Sequence, residues 1–424
     1  MNTKTLMLTA GFLTCGHAMG ATYYVAAGGS DGNAGSSTAP WATLQHAVEM
    51  IGPGDTILVG SGTYAGARIE KSGLATARKR LKADTGAQVL LNAPGTKNKH
   101  NSILEVENFS GTVSYWVIDG FEIANSPRYG VDVRITESIT VQNCRVHNSA
   151  VTGIFTAFSN HPLIQNNQSY DNGEHGIYHS NSGDYPVIRA NLLHHNYAAG
   201  VHMNGDISMG GDGTISFATV ERNVIWENGA GGGSGINCDG VDDSIFRNNL
   251  LYANHASGIS LYSIDGAHGS SRNLVYNNTI VMTAGSRWAV NIPKSSGKKS
   301  PVGNKIRNNI LYTPSTNRGS VLIYSATAAG FESDYNVVVN RFTANAGTSI
   351  ISLSAWQQKT GQDLHSVISN PSALFVDASN NDYRLKAGSP AANAGTILTE
   401  VTADLAGVAR PQGGAYDIGC YESF

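Results

Sequence analysis

The chain has little of what would place it in several common classes. It carries 4 cysteines in 424 residues, and one of these, Cys15, lies in the first twenty. The remaining three, Cys144, Cys238 and Cys420, are an odd and sparse set, so no disulfide framework is expected and stability must come from packing. Charge of one sign is also missing. The formal net charge is −3, or −4 without Lys4, which excludes the basic footprint of a nucleic-acid-binding protein. The short basic runs Arg78–Lys82 and Lys294–Lys299 read as solvated loops. After the amino terminus no apolar run is long enough to cross a bilayer. The one short run, Leu6–Cys15, follows Lys4 and precedes the small residues Ala18 and Gly20, the pattern of a cleavable signal peptide over 1–20. The expectation is a secreted or periplasmic, soluble monomer.

What is abundant is glycine, with 49 residues, together with asparagine, while charged residues make up only 14%. This composition implies many turns and few helices. A small residue followed by a β-branched one recurs at Gly130-Val131, Gly153-Ile154, Gly176-Ile177, Gly200-Val201, Gly235-Ile236, Gly258-Ile259, Ala289-Val290 and Ser320-Val321. The steps are 23, 23, 24, 35, 23, 31 and 31 residues, a base period of 23 with loops added. A second column runs in register with the first and places Asn167, Asn191, Asn223, Asn249, Asn278 and Asn309 at one point of each coil, with Cys144 one coil earlier. Strands stacked about 4.8 Å apart would let such amides hydrogen-bond up and down the axis. Asparagine also tolerates a left-handed bend between strands.

The Gly-Ile repeat and the asparagine column resemble the pectate-lyase-like superfamily of secreted right-handed parallel β-helix proteins. The resemblance covers roughly residues 22 to 340. It implies an all-β fold: a single-stranded right-handed parallel β-helix solenoid with an N-terminal capping helix and an irregular C-terminal cap. Boundaries on this reading are 1–20 signal peptide, 21–72 cap and first strands, 73–340 β-helix and 341–424 C-terminal cap. Leu44, Ala47, Val48 and Ile51 fall at helical spacing and would form the N-terminal cap. Ala355–Gln358 reads as a short helical piece in the tail, which is expected to pack on the last coils.

A packed solenoid leaves chemistry to its outer face. Strand alternation turns Asp132, Arg134, Phe155, Tyr178, His202, Asn204, Asn237, Asp239, Ser260, Tyr262 and Asn291 outward, and His179 inward. The long steps insert residues at 205–214, 229–234, 263–271 and 294–301, and such insertions wall one face of a solenoid. A groove is therefore expected between about residues 178 and 294. Three constellations compete there. Asn204, Asp206 and Asp239, with Asn237 nearby, are oxygen donors that could hold Ca²⁺, which takes six to eight oxygens at about 2.3–2.6 Å. The resemblance implies such a role, because β-helix lyases use Ca²⁺ to neutralise a uronate carboxylate. Against it, Asn-Gly-Asp206 and Asp239-Gly240 are ordinary turn formers. His202, chosen for an imidazole that titrates near neutrality, leads as the base, with Lys294 as alternative and Tyr178 or Tyr262 as acid. Outward His and Tyr can equally just cover neighbouring strands. His161, His175, His194, His195 and His255 fall in turns without a convergent partner.

The third constellation is a hydrolase. Asn237–Asp242 is similar to a polygalacturonase stretch, but the paired aspartate expected one coil later is replaced by Ala256-Ser257. The leading expectation is an enzyme that cleaves an acidic, uronate-containing polysaccharide by β-elimination, with catalytic His202, Asp239 and Lys294. Phe155, Tyr178 and Tyr262 would stack on sugar rings, and Asn237, Arg134 and Arg287 would bind substrate. A glycoside hydrolase and a non-catalytic glycan-binding surface protein are the alternatives.

Overall fold

The computed structural model describes residues 20–295 and 298–423; the expected signal peptide lies outside them, apart from Gly20. Each coil contributes one short strand to each of three parallel sheets. The sheets have 12 strands apiece among the described residues. Register is set by the apolar column: Ile154, Ile177, Val201, Ile236, Ile259, Val290 and Val321 stand directly above one another in the third sheet. All are fully buried in one core running the length of the stack. A one-residue slip in any coil would turn its buried set outward, so the period-2 pattern fixes the pairing.

Both ends of the core are closed by helices. Leu44–Met50 buries Leu44, Ala47 and Val48 at one end, and Thr43 caps it by accepting from His46 N. At the other, Leu353–Thr360 sets fully buried Trp356 against Phe342, with ring centroids 5.1 Å apart. Solenoids need such caps because a terminal coil cannot bury its own open face. The coils continue past residue 340, since Phe342–Thr343 still pairs in the third sheet and Val367–Ile368 in the second.

The asparagine column is a continuous hydrogen-bonded ladder. Each amide donates to the next Asn oxygen, from Asn167 through Asn191, Asn223, Asn249, Asn278 and Asn309 to Asn336, at 2.9–3.1 Å. Cys144 takes the first position, its N–H donating to Asn167 Oδ1, and burial pushes its thiol up to about 12. The left-handed residue is not the ladder Asn but the one before it, as at Asn166, Ala190, Arg222 and Asn248. A second ladder, Asn172–Asn196–Asn228–Asn254, runs at the next turn, and Asn273–Asn304 begins a third.

The carboxy-terminal segment folds back along the outside of the second sheet, where a tail seated on the final coils was expected. Leu374, Phe375, Tyr383, Ile418 and Cys420 bury Leu250, Ile310 and Val337 there. The left-handed turn residues supply its anchors: Asn248, Asn277 and Asn308 donate to Ala403 O, Asp417 O and Thr396 O at 2.7–2.9 Å. In each Asn-Asn pair of these coils, one amide holds the tail and the next holds the stack.

Candidate functional site

Outward residues of the third sheet form two rows. One runs through Phe155, Tyr178, His202, Asn237, Ser260 and Asn291, and the other through Ala157, Ser180, Asn204, Asp239 and Tyr262. The inserted loops cover much of both. Where the first row emerges, it floors a cleft of about 440 Å³ lined by Ser234, Asn237, Ser260, Tyr262, Arg287 and Lys294, among others. Arg287 precedes and Lys294 follows the strand Val290–Asn291, so the two cations stand at opposite margins of one rung. Both are exposed. Among the described residues no carboxylate lines the cleft.

The floor is a hydrogen-bonded surface. Asn291 Nδ2 donates to Ser260 Oγ at 3.2 Å, and Ser260 Oγ meets Ser234 Oγ at 2.8 Å. Asn237 Nδ2 donates to the Tyr262 phenol at 2.6 Å. That contact uses the phenol oxygen as acceptor and leaves its proton to be given elsewhere. Burial, then the Asp239 charge, raise the Tyr262 pKa above the ordinary phenol value. Ser263 Oγ, buried and without a partner, completes the wall.

Several expected site residues are engaged elsewhere. His202 is buried between His175 and Tyr178, ring centroids 4.6 Å away in each case, with Nδ1 3.1 Å from Asn237 O. Burial lowers its pKa to about 4, which withdraws the reason for choosing it, an imidazole titrating near neutrality. It supports the floor through Asn237. Asp239 accepts backbone N–H bonds from Ile264, Asp265 and Gly266 at 2.8–3.0 Å, so its carboxylate holds a loop. Phe155 stacks on Tyr129 at 4.4 Å and lies under the Arg134 guanidinium, which is itself bound to Asp132 at 2.7 Å. Neither ring face of Phe155 nor the Arg134 charge is free for a sugar. Tyr178 is half-buried in the same aromatic cluster, its hydroxyl 3.4 Å from Asn204 Nδ2.

The expected calcium donors are engaged in hydrogen bonds. Asn204 Oδ1 accepts from Asp206 N, and Asp206 Oδ1 accepts from Ser208 N and Oγ. Asp239 holds the 264–266 backbone, and Asn204 Nδ2 also reaches Asp265 Oδ2 at 3.3 Å. Among the described residues no three His, Cys, Asp or Glu side chains are grouped to hold a metal.

The model of a Pel9A-like right-handed β-helix region matches residues 23–309, which is most of the stack and all of the cleft. The chain belongs to that family. Its handedness and repeat are therefore those read from the sequence. Pectate lyase PEL9 of Emericella nidulans is 27% identical over 332 residues, 66% of this chain and 80% of its own. The crystal structure of pectate lyase Pel9A superposes with a TM-score of 0.58 at 18% identity, covering 96% of this chain and 98% of that one. A glycoside hydrolase gives 0.55 at 11% identity, over 82% and 96% of the two chains. At those identities the two structures share the fold alone, and the fold serves more than one reaction.

Of the expected residues, the cleft gathers Asn237, Tyr262, Arg287 and Lys294 and leaves out His202, Asp239, Asn204, Asp206, Arg134, Phe155 and Tyr178. Ser234 and Ser263 were not anticipated as lining. Ser263 opens an inserted loop, and Ser234 begins its strand directly after one, paired with Ser257. Ser260 and Asn291 were on the outward row, and their in-register stacking above Asn237 was the available signal.

Proposed function

We propose that this chain is a secreted polysaccharide lyase that cleaves a uronate-containing polymer by β-elimination in the cleft above Asn237, Ser260 and Asn291. One observation carries the reading: Arg287 and Lys294 line opposite margins of a carboxylate-free cleft. The names of the relatives agree, since PEL9 and Pel9A are pectate lyases.

Arg287 binds the uronate carboxylate, for which its forked donors are suited, and spreads the charge that develops when the adjacent C5 loses its proton. Lys294 takes that proton. The C5 electrons form the C4–C5 double bond and the C4–O bond breaks. Tyr262, whose phenol stays protonated in its buried setting, gives a proton to the departing oxygen. Asn237 and the serines of the floor hold ring hydroxyls. Hydrolysis needs a carboxyl pair about 5–9.5 Å apart, and the cleft lining offers none.

Incubation with pectate, alginate and glycosaminoglycans, with and without added Ca²⁺, tests the proposal. Ultraviolet absorbance of an unsaturated uronate is the expected product signal. New reducing ends without that absorbance would replace elimination with hydrolysis, and binding without either product would make the chain a non-catalytic glycan binder.

A further inference from the structure

Lys298 lies on the cleft's outer loop, and its Nζ donates to the carbonyl oxygens of Ile264, Asp265 and Gly266 at 2.8, 3.0 and 2.7 Å. An ammonium has three protons, so it is saturated and has nothing left for a ligand. The N–H groups of the same three residues run the opposite way, onto Asp239. The peptide groups joining 264 to 265 and 265 to 266 are thus held at both ends, by a carboxylate beneath and an ammonium above. The grip extends to neighbouring loops, for Asp265 O also accepts from Ile207 N at 3.1 Å, Ala267 N donates to Gly213 O at 2.9 Å, and Gly269 N donates to Lys299 O at 2.8 Å.

We infer that Lys298 is a positioning residue, a tethered cation that holds the 263–266 loop from above and so fixes the Ser263–Ile264 wall over the floor. The inference rests on the cleft being the site of elimination. Peptide dipoles aligned between opposite charges favour both contacts together, because each charge polarises the groups the other binds. Lys298 is only partly buried. Without it the three carbonyls turn to water, and the coils beneath keep their own ladders.

Two measurements on the full chain decide it. In Lys298→Met, hydrogen exchange at the amides of 264–266 should rise at least about tenfold while exchange in the core strands stays unchanged. Unaltered exchange at those amides overturns the clamp, whatever the protein does to uronates. On a uronate polymer the same variant should lose about 10- to 100-fold in kcat with a smaller change in KM. Ammonium ions should restore part of that loss in Lys298→Ala, while the bulkier tetramethylammonium should not, and neither should act on Lys294→Ala. Raised exchange with wild-type kcat overturns the positioning role. A wild-type protein without turnover defeats the elimination reading instead, and the exchange result still decides the clamp.

Discussion

Asn249 donates to Val220 O and Asn278 Oδ1, both at 2.9 Å, and its own oxygen accepts from the backbone and side chain of Asn223. Asn249→Ala removes four buried hydrogen bonds at once. A loss of about 3 kcal/mol is expected, measurable as a lower denaturation midpoint with unchanged m-value. The buried histidines act through protons. Burial depresses His179 and His202 to about 4. An unfolded histidine titrates near 6.5. Above that pH both states are neutral and the residues contribute nothing to the pH dependence. As pH falls from about 6.5 to about 4 the unfolded chain takes up protons that the folded one refuses, so stability falls, by up to a few kcal/mol per residue. His179→Gln should flatten that limb in denaturation curves taken between pH 7.5 and 4. In the cleft, Lys294→Ala should cost turnover about 10³-fold or more, and Tyr262→Phe about 10²-fold.

At the scale of strands and loops, the rung is legible in the sequence and the insertion is not. Alternation after each Gly-Ile pair identified the outward rows, and the structure keeps every one of those residues on its row. Exposure was another matter. His202 points outward yet is buried, because His175, ahead of the preceding coil's strand, turns its ring over it. Asp239 points outward into a loop whose donors are backbone N–H groups, which no side-chain pattern announces. Lys294 opens an insertion beside the outward row, whereas Lys298, four residues on, reads as one more solvated charge. The second ladder was present as Asn172, Asn196, Asn228 and Asn254, one per coil, but the stronger apolar signal of the first column hid it. Gly266 shows how tightly the insertion is built. A Cβ there would sit 2.6 Å from Gly240 Cα and 2.8 Å from Gly240 N, so backbone would have to move. Gly266→Ala should therefore cut kcat/KM by about tenfold or more while the melting temperature, set by the coils beneath, changes little.

For the molecule as a whole, a parallel β-helix exposes three outer sheet faces, and this chain spends its last fifty residues covering one of them. The tail buries Leu250, Ile310 and Val337 and carries its own Leu374, Phe375, Tyr383, Ile418 and Cys420 into the same cluster. Arg410 and Glu422, both fully buried, pair at 2.6 Å inside it, and Asn248, Asn277 and Asn308 anchor it to three successive coils. The helix carrying Trp356 already closes the end of the core, so the tail is not needed as an end cap. Its role is lateral: it covers an apolar stripe across the coils. A chain ending after Ser369 retains every coil and both capping helices. It should keep its β circular dichroism and self-associate, visible as oligomers in light scattering. Replacing Leu250 and Ile310 in the truncated chain by Thr and Lys should abolish that self-association. A truncated chain that stays monomeric with an unchanged melting temperature would show that the outer face needs no cover.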